Sequence, residues 1–141
     1  MKQFKNTLIA VSLIAATFSA DAFAFRARTQ HQNAAGGVTS TFGQSYRGAN
    51  GGSFANGRRV QSDGAGNVSG VSGAAGVTAN GGRFNRAGSF SRSADGSATR
   101  QGTLEANGQR GSVYSSGSAT RNADGTVNGS RSSQVTNAQT G

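Results

Sequence analysis

The chain has 141 residues, of which 23 are glycine, and it contains no cysteine and no proline. Its formal net charge is +9, from 14 lysine and arginine residues against five carboxylates, and it has a single histidine. This composition excludes a disulfide-stabilised domain and leaves few groups for acid–base or metal chemistry.

The first 24 residues have the three parts of a secretory signal peptide. Two lysines give a positive start, residues 8–16 form a short apolar run, and Ala-Phe-Ala at 22–24 fits the small-x-small cleavage pattern. The alternative is a membrane-anchoring helix, but a span needs roughly 20 apolar residues, and this run together with residues 17–20 has 13. We therefore expect cleavage between Ala24 and Phe25. The product would be exported (periplasmic, cell-surface or secreted), with no transmembrane span left.

The composition after the signal peptide differs from that of an ordinary globular domain. Leucine, isoleucine, valine and phenylalanine together supply 14 of the 117 residues from Phe25 onward, whereas a content below about 20% with high charge is typical of disorder. The charge of this part is +8, from 12 arginines and 4 carboxylates. The apolar content is too small for a conventional core. The absence of proline favours strands over coil, because proline is poorly tolerated in sheets.

Two regions differ in regularity. In residues 25–82, paired glycines interrupt stretches of alanine, serine, threonine and asparagine, and this region is expected to be largely irregular or disordered. In residues 83–141, the unit Arg-x-Ala-Asp-Gly-Ser/Thr begins at both Arg92 and Arg121. This second region is expected to be a degenerate β-hairpin repeat.

Three turn signals predict an antiparallel hairpin meander in residues 83–141. Asp-Gly and Asn-Gly favour type I′ hairpin turns, which need positive φ at both central residues. These dipeptides are Asp95-Gly96, Asn107-Gly108 and Asp124-Gly125. The predicted fold class is therefore all-β, with four strands in this half. The alternative is a disordered, low-complexity chain.

Two-residue turns at these positions would also fix the strand register. The numbers of opposed residues would then sum to 191, 215 and 249. This places Glu105 opposite Arg86 and Arg110. One cross-strand row would contain Phe90, Gln101, Tyr114 and Val135. Neither face of such a sheet is apolar and its edges are open, so its stability would have to come from partners or from self-association.

No catalytic, cofactor-binding or metal-binding residue is assigned. His31 lies in a polar stretch near the new N-terminus, where a solvated side chain is the simpler interpretation. Residues 122–128 are superficially similar to a calcium loop but carry one carboxylate, where such a site needs several. We expect no cofactor and no small-molecule substrate, and predict a protein that is not an enzyme.

Arginine is the one residue type in this sequence whose chemistry suggests a function. Several lie beside aromatic residues, a combination suited to polyanions through bidentate contacts and stacking. The candidate polyanion-binding residues are Arg26, Arg28, Arg47, Arg58, Arg59, Arg83, Arg86 and Arg92. The alternative is that the charge only keeps a glycine-rich chain soluble.

Residues 70–80, Gly-Val-Ser-Gly-Ala-Ala-Gly-Val-Thr-Ala-Asn, resemble the Gly-Val-Asn/Ala-Ala repeats of bacterial functional amyloid subunits. The resemblance covers about a tenth of the mature chain and implies a component of a biofilm fibre.

Two functional hypotheses follow. The first is a non-enzymatic exported protein of the cell surface or extracellular matrix, which associates with itself and with anionic envelope polymers or lipids. The second is a largely disordered basic module of the periplasm or exterior. Its ligand would be a polyanion such as lipopolysaccharide, acidic polysaccharide or extracellular nucleic acid.

Overall fold

The fold is a single antiparallel sheet of eight strands. The computed structural model describes residues 23–138, so the expected signal peptide lies outside this part apart from its last two residues. The strands are β1 (Phe23–Gln32), β2 (Val38–Arg47), β3 (Ser53–Ser62), β4 (Val68–Val77), β5 (Arg83–Arg92), β6 (Ala98–Gly108), β7 (Gly111–Arg121) and β8 (Val127–Asn137). They lie in chain order and each pairs with the next, which confirms the expected all-β hairpin meander.

The meander extends through residues 25–82, which the sequence analysis expected to be irregular. β1 to β4 are each ten residues long and fully paired. Their sequences lack a clear hydrophobic alternation, because no second layer faces them and neither side of the sheet has to be apolar. The regularity lies in the spacing: the first six strands begin 15 residues apart.

The same type of loop recurs between strands and sets this spacing. In residues 93–97 the Gly96 amide donates to the Ser93 carbonyl (3.0 Å), and the Ser93 amide donates to the Ser97 carbonyl (2.8 Å). Gly96 has a φ of 88°. This is a turn followed by a left-handed residue, a position that glycine occupies without steric cost. Equivalent pairs of hydrogen bonds close the loops that begin at Asn33, Gly48, Thr78 and Asn122.

The turn residues therefore differ from the predicted two-residue turns. Asp95-Gly96 and Asp124-Gly125 lie inside five-residue loops, with only the glycine at positive φ. Asn107-Gly108 ends β6, and the turn falls two residues later at Gln109 and Arg110. The positive φ there belongs to Gly111, at 128°. In each case the glycine follows the turn rather than forming its second central residue.

The predicted register is wrong for the same reason. Paired residues sum to 190 between β5 and β6, 219 between β6 and β7, and 248 between β7 and β8. Glu105 is paired with Asn85 and Tyr114, and not with Arg86 or Arg110. The predicted aromatic row is also absent: its members have the partners Phe90–Arg100, Gln101–Ser118, Tyr114–Gln134 and Val135–Val113.

The sheet is a single layer. Within the described residues no hydrophobic side chain is buried, and the only buried polar side chains are those of Thr39 and Ser115. Domains ordinarily consist of two packed layers around a core. Both faces of this sheet are therefore available for contacts with other molecules.

Because side chains alternate along a strand, the uninterrupted register assigns every strand residue to one of two faces. The arginine face carries the even-numbered residues of β1–β6 and the odd-numbered residues of β7 and β8. The opposite face carries the others. The parity changes at the short β6–β7 turn, where the register sum becomes odd.

Aromatic rings on the arginine face cover glycines and take the place of a core. Phe84 lies over its cross-strand partner Gly76, and Phe90 lies over Gly70. Both glycines are buried. Phe54 flanks Gly76 on the other side, and its ring centroid is 6.0 Å from that of Phe84. Such aromatic–glycine pairs help to fix strand register.

Candidate anion-binding face

Eight of the twelve arginines project from one side of the sheet. They are Arg26, Arg28, Arg58, Arg86, Arg92, Arg100, Arg121 and Arg131, and all are exposed. The opposite face carries Arg47, Arg59 and Arg83, and Arg110 lies in the β6–β7 turn. The arrangement concentrates positive charge on the arginine face.

Within residues 23–138, no carboxylate lies on the arginine face. Glu105 projects from the opposite face, and Asp63, Asp95 and Asp124 lie in loops at one end of the strands. Within a sheet, opposed charges contribute to stability and like charges oppose it. The positive field of the arginine face is therefore not neutralised by the sheet itself, which is the arrangement that attracts anions.

The loop carboxylates are engaged locally. Asp95 Oδ1 accepts hydrogen bonds from the hydroxyl (2.7 Å) and backbone amide (2.8 Å) of Ser97. These two bonds lower the pKa of Asp95. The hydroxyl and amide of Thr126 lower the pKa of Asp124 in the same way. These aspartates stabilise the loops, and in the described part of the chain they form no ion pair with an arginine.

Two arginines are positioned by aromatic rings. The guanidinium carbon of Arg26 lies 5.2 Å from the centre of the Phe42 ring, and that of Arg58 lies 5.9 Å from the centre of the Phe90 ring. Cation–π contacts of this kind hold a guanidinium without neutralising it. Near the β8 edge, Arg131 Nε donates to Ser115 Oγ at 3.3 Å. Three of the eight arginines are thus oriented before any ligand arrives.

A lane without bulky side chains crosses the arginine face. It consists of Ser72 and three glycines in register on consecutive strands, Gly88, Gly102 and Gly117. In the same register row, the lane is flanked by Arg58 on one side and by Arg131 on the other. Arg86 and Arg100 lie in the neighbouring rows of this face, one on each side of the lane. The lane could hold an extended anionic chain laid across the strands.

The structure separates the eight sequence candidates into two groups. Five lie on the arginine face, whereas Arg47, Arg59 and Arg83 lie on the other. Arg100, Arg121 and Arg131, which complete the arginine face, were not among the residues predicted from the sequence. The residues 30 positions earlier are Gly70, Ser91 and Gln101, so the 30-residue spacing that returns the chain to the same row in β1–β6, as for Arg28 and Arg58, did not mark them.

The remaining residues singled out from the sequence do not form a reactive cluster. His31 is exposed in β1, in register with Thr39. Within residues 23–138, no three histidine, cysteine or acidic side chains are grouped as a metal site would require. Ala24 and Phe25, the expected cleavage site, lie in β1 and are paired with Tyr46 and Ser45. In the described part of the chain, no helix has the length and apolarity of a membrane span.

No protein-family model matches the chain, and comparisons with curated proteins and with solved structures found no significant similarity.

Proposed function

We propose that this chain is an exported, non-enzymatic protein of the cell surface or extracellular matrix, and that its arginine face binds an extended anionic polymer. The observation that carries the proposal is the placement of eight exposed arginines on one face, where the described part of the chain has no carboxylate. Guanidinium groups bind phosphate and carboxylate bidentately. A planar array of them suits a polymer with repeated anionic groups better than a small ligand.

The shape of the face supports the same proposal. The glycine lane leaves room for a polymer backbone between the flanking arginines Arg86 and Arg100. The phenylalanine rings are half-buried against glycines, so they offer less surface for base stacking than a dedicated single-strand nucleic-acid site. We therefore favour an acidic polysaccharide or a phosphate-bearing envelope polymer over nucleic acid. The paired strands favour this β-rich protein over the largely disordered module.

The experiment compares two triple variants with the same loss of charge. Arg28→Gln, Arg86→Gln and Arg100→Gln remove three arginines from the arginine face, and Arg47→Gln, Arg59→Gln and Arg83→Gln remove three from the opposite face. Binding is measured to inorganic polyphosphate, polyuronate and single-stranded DNA, with neutral dextran as the blank.

The first triple should weaken binding at least about tenfold, because charge-assisted hydrogen bonds contribute about 1.5–3 kcal/mol each. The second should change it much less. Binding should also fall steeply as salt is raised. Equal losses of affinity in the two triple variants would show that binding depends only on net charge. That result would contradict a dedicated binding face. The polymer that binds most strongly identifies the chemical class of the ligand.

A further inference from the structure

The opposite face of the sheet raises a separate question, because it is neither charged like the arginine face nor covered. Its central row is made of small residues: Ala27, Gly43, Gly57, Gly73, Ala87, Thr103, Ser116 and Ser132. This row, the next row of the same face and part of the row on its other side line an open concavity of about 1420 Å³. Small side chains allow another surface to approach the backbone closely.

We propose that a second copy of this chain covers the opposite face, so that two sheets stack face to face with both arginine faces outward. The proposal goes beyond polymer binding and stands independently of it. It supplies the second layer that a single sheet without buried hydrophobic side chains needs. Face-to-face stacking is also a specific form of the self-association that was expected from the sequence.

The area is sufficient for a stable dimer. Eight strands of ten residues span roughly 38 Å by 33 Å. Full contact between two such faces would bury roughly 2,500 Å² in total, so contact over half of each curved face still reaches the 1,200–2,000 Å² that is typical of specific interfaces.

Charge decides which face can stack. Two arginine faces in contact would oppose eight arginines to eight, with no carboxylate between them. The opposite face carries only Arg47, Arg59, Arg83 and Glu105 among its charged strand residues. Stacking through the opposite face is therefore the arrangement with the least repulsion.

Arg59 and Glu105 provide a charge complement within that face. Arg59 is half-buried, and its Nε is buried without a hydrogen-bond partner. The Glu105 carboxylate forms no hydrogen bond or ion pair in the described part of the chain. Each is thus an unpaired charge that a symmetric partner could satisfy. In a two-fold interface, if Arg59 contacts Glu105 of the second copy, then Glu105 contacts its Arg59.

The positions of the two residues fit this symmetry. They lie three strands and four residue rows apart, which is roughly 14 Å across the strands and 13 Å along them. Their midpoint falls beside Gly73 and Ala87, at the centre of the sheet. A two-fold axis through that point superposes nearly the whole of both faces. The strands of the two layers then cross at about 90°, one of the two common packings of sheets.

The main test uses neighbouring residues of β6 and β7 that are all exposed but project from different faces. The variant Thr103→Arg with Ser118→Arg adds two charges to the opposite face, and Leu104→Arg with Ala119→Arg adds two to the arginine face. The form that accumulates in cells expressing the full chain is purified, and its mass is measured by light scattering during size-exclusion chromatography.

Stacking predicts a dimer for the unmodified chain and for the arginine-face variant, and a monomer for the opposite-face variant. A monomeric unmodified chain would overturn the proposal. A dimer that survives Thr103→Arg with Ser118→Arg would also overturn it and direct attention to the exposed edges of β1 and β8.

A charge exchange tests the specific contact. Arg59→Glu and Glu105→Arg should each weaken the dimer, because each places like charges together, and the double variant should restore it. Failure of the double variant to recover would contradict the proposed axis. Polyphosphate binding is measured on all variants, and it should persist in the monomer because the arginine face is intact. Loss of stacking and loss of polymer binding are therefore distinguishable.

Discussion

The ring of Phe84 lies directly on Gly76, its partner in the neighbouring strand, and a methyl group built on Gly76 would overlap the ring. Gly70 has the same relation to Phe90. These pairs are close side-chain contacts on a sheet without a conventional core. Glycine is required there by the ring and by a neighbouring carbonyl rather than by a turn, because a methyl group on Gly76 would also lie 2.9 Å from the Ser53 oxygen.

Gly76→Ala should therefore destabilise the protein. Overpacking of this kind costs about 1–3 kcal/mol, a large share for a protein without a core. Gly73→Ala is the matched control in the same strand, because its added methyl group would meet only the Arg86 carbonyl, at 3.6 Å. Chemical denaturation followed by circular dichroism compares the two. Equal losses at both positions would show that the effect arises from the backbone and not from Phe84.

The loop aspartates predict acid sensitivity. Hydrogen bonds from Asn67, Ser97 and Thr126 hold the pKa values of Asp63, Asp95 and Asp124 below the ordinary 3.8. A carboxylate with a lowered pKa in the folded state contributes stability above its ordinary pKa, and this is lost as the pH falls through the folded value. The melting temperature should therefore decline as the pH is lowered below the ordinary pKa of 3.8 and through the lowered pKa values of the folded protein.

Replacing the three aspartates with asparagine should flatten this decline. An amide oxygen can accept the same bonds, as that of Asn33 does from the Ala35 and Gly37 amides at 3.1 Å. The measurement is a series of thermal melts from neutral to acid pH. A decline as steep as in the unmodified chain would assign the acid sensitivity to other groups.

The register can be tested with engineered disulfides, since the chain contains no cysteine. Gln101 is paired with Ser118 in the structure, whereas two-residue turns would have paired it with Tyr114. The variant Q101C with S118C should oxidise readily, because paired strand residues lie within disulfide reach. The variant Q101C with Y114C should remain reduced within one chain, as mass spectrometry of the monomer band would show. The reverse result would favour the shorter turns.

The sequence predicted the kind of fold better than its extent. The Asp-Gly dipeptides marked two real loops, because aspartate and glycine are both favoured there. They did not reveal that glycine follows the turn, and the predicted register was wrong as a consequence. Residues 25–82 lacked apolar alternation, so they were interpreted as irregular. Their signal was the repeated alanine and glycine of the loops, as at Ala34 and Gly36 and again at Ala49 and Gly51.

The arginine face was predictable only in part. The sequence indicated that arginines were the chemical feature of interest, but assigning each to a face requires the register. Arg58 and Arg59 are adjacent in the chain and project from different faces. Arg131 reaches the arginine face only because the short β6–β7 turn changes the parity. A shift of one residue in the pairing register would move the arginines of a strand to the other face. Amino-acid composition does not reveal the register.

The most direct test of the account is arginine footprinting on the unmodified protein. The form that accumulates in cells expressing the full chain is treated with an arginine-specific dicarbonyl reagent, with and without saturating inorganic polyphosphate, and modification is read at each residue by mass spectrometry. If polyphosphate fails to bind, the polymer that binds most strongly replaces it. The account predicts that polymer protects Arg28, Arg86, Arg92, Arg100 and Arg121 and leaves the reactivity of Arg47 and Arg83 unchanged. Equal protection on both faces would contradict a dedicated anion-binding face.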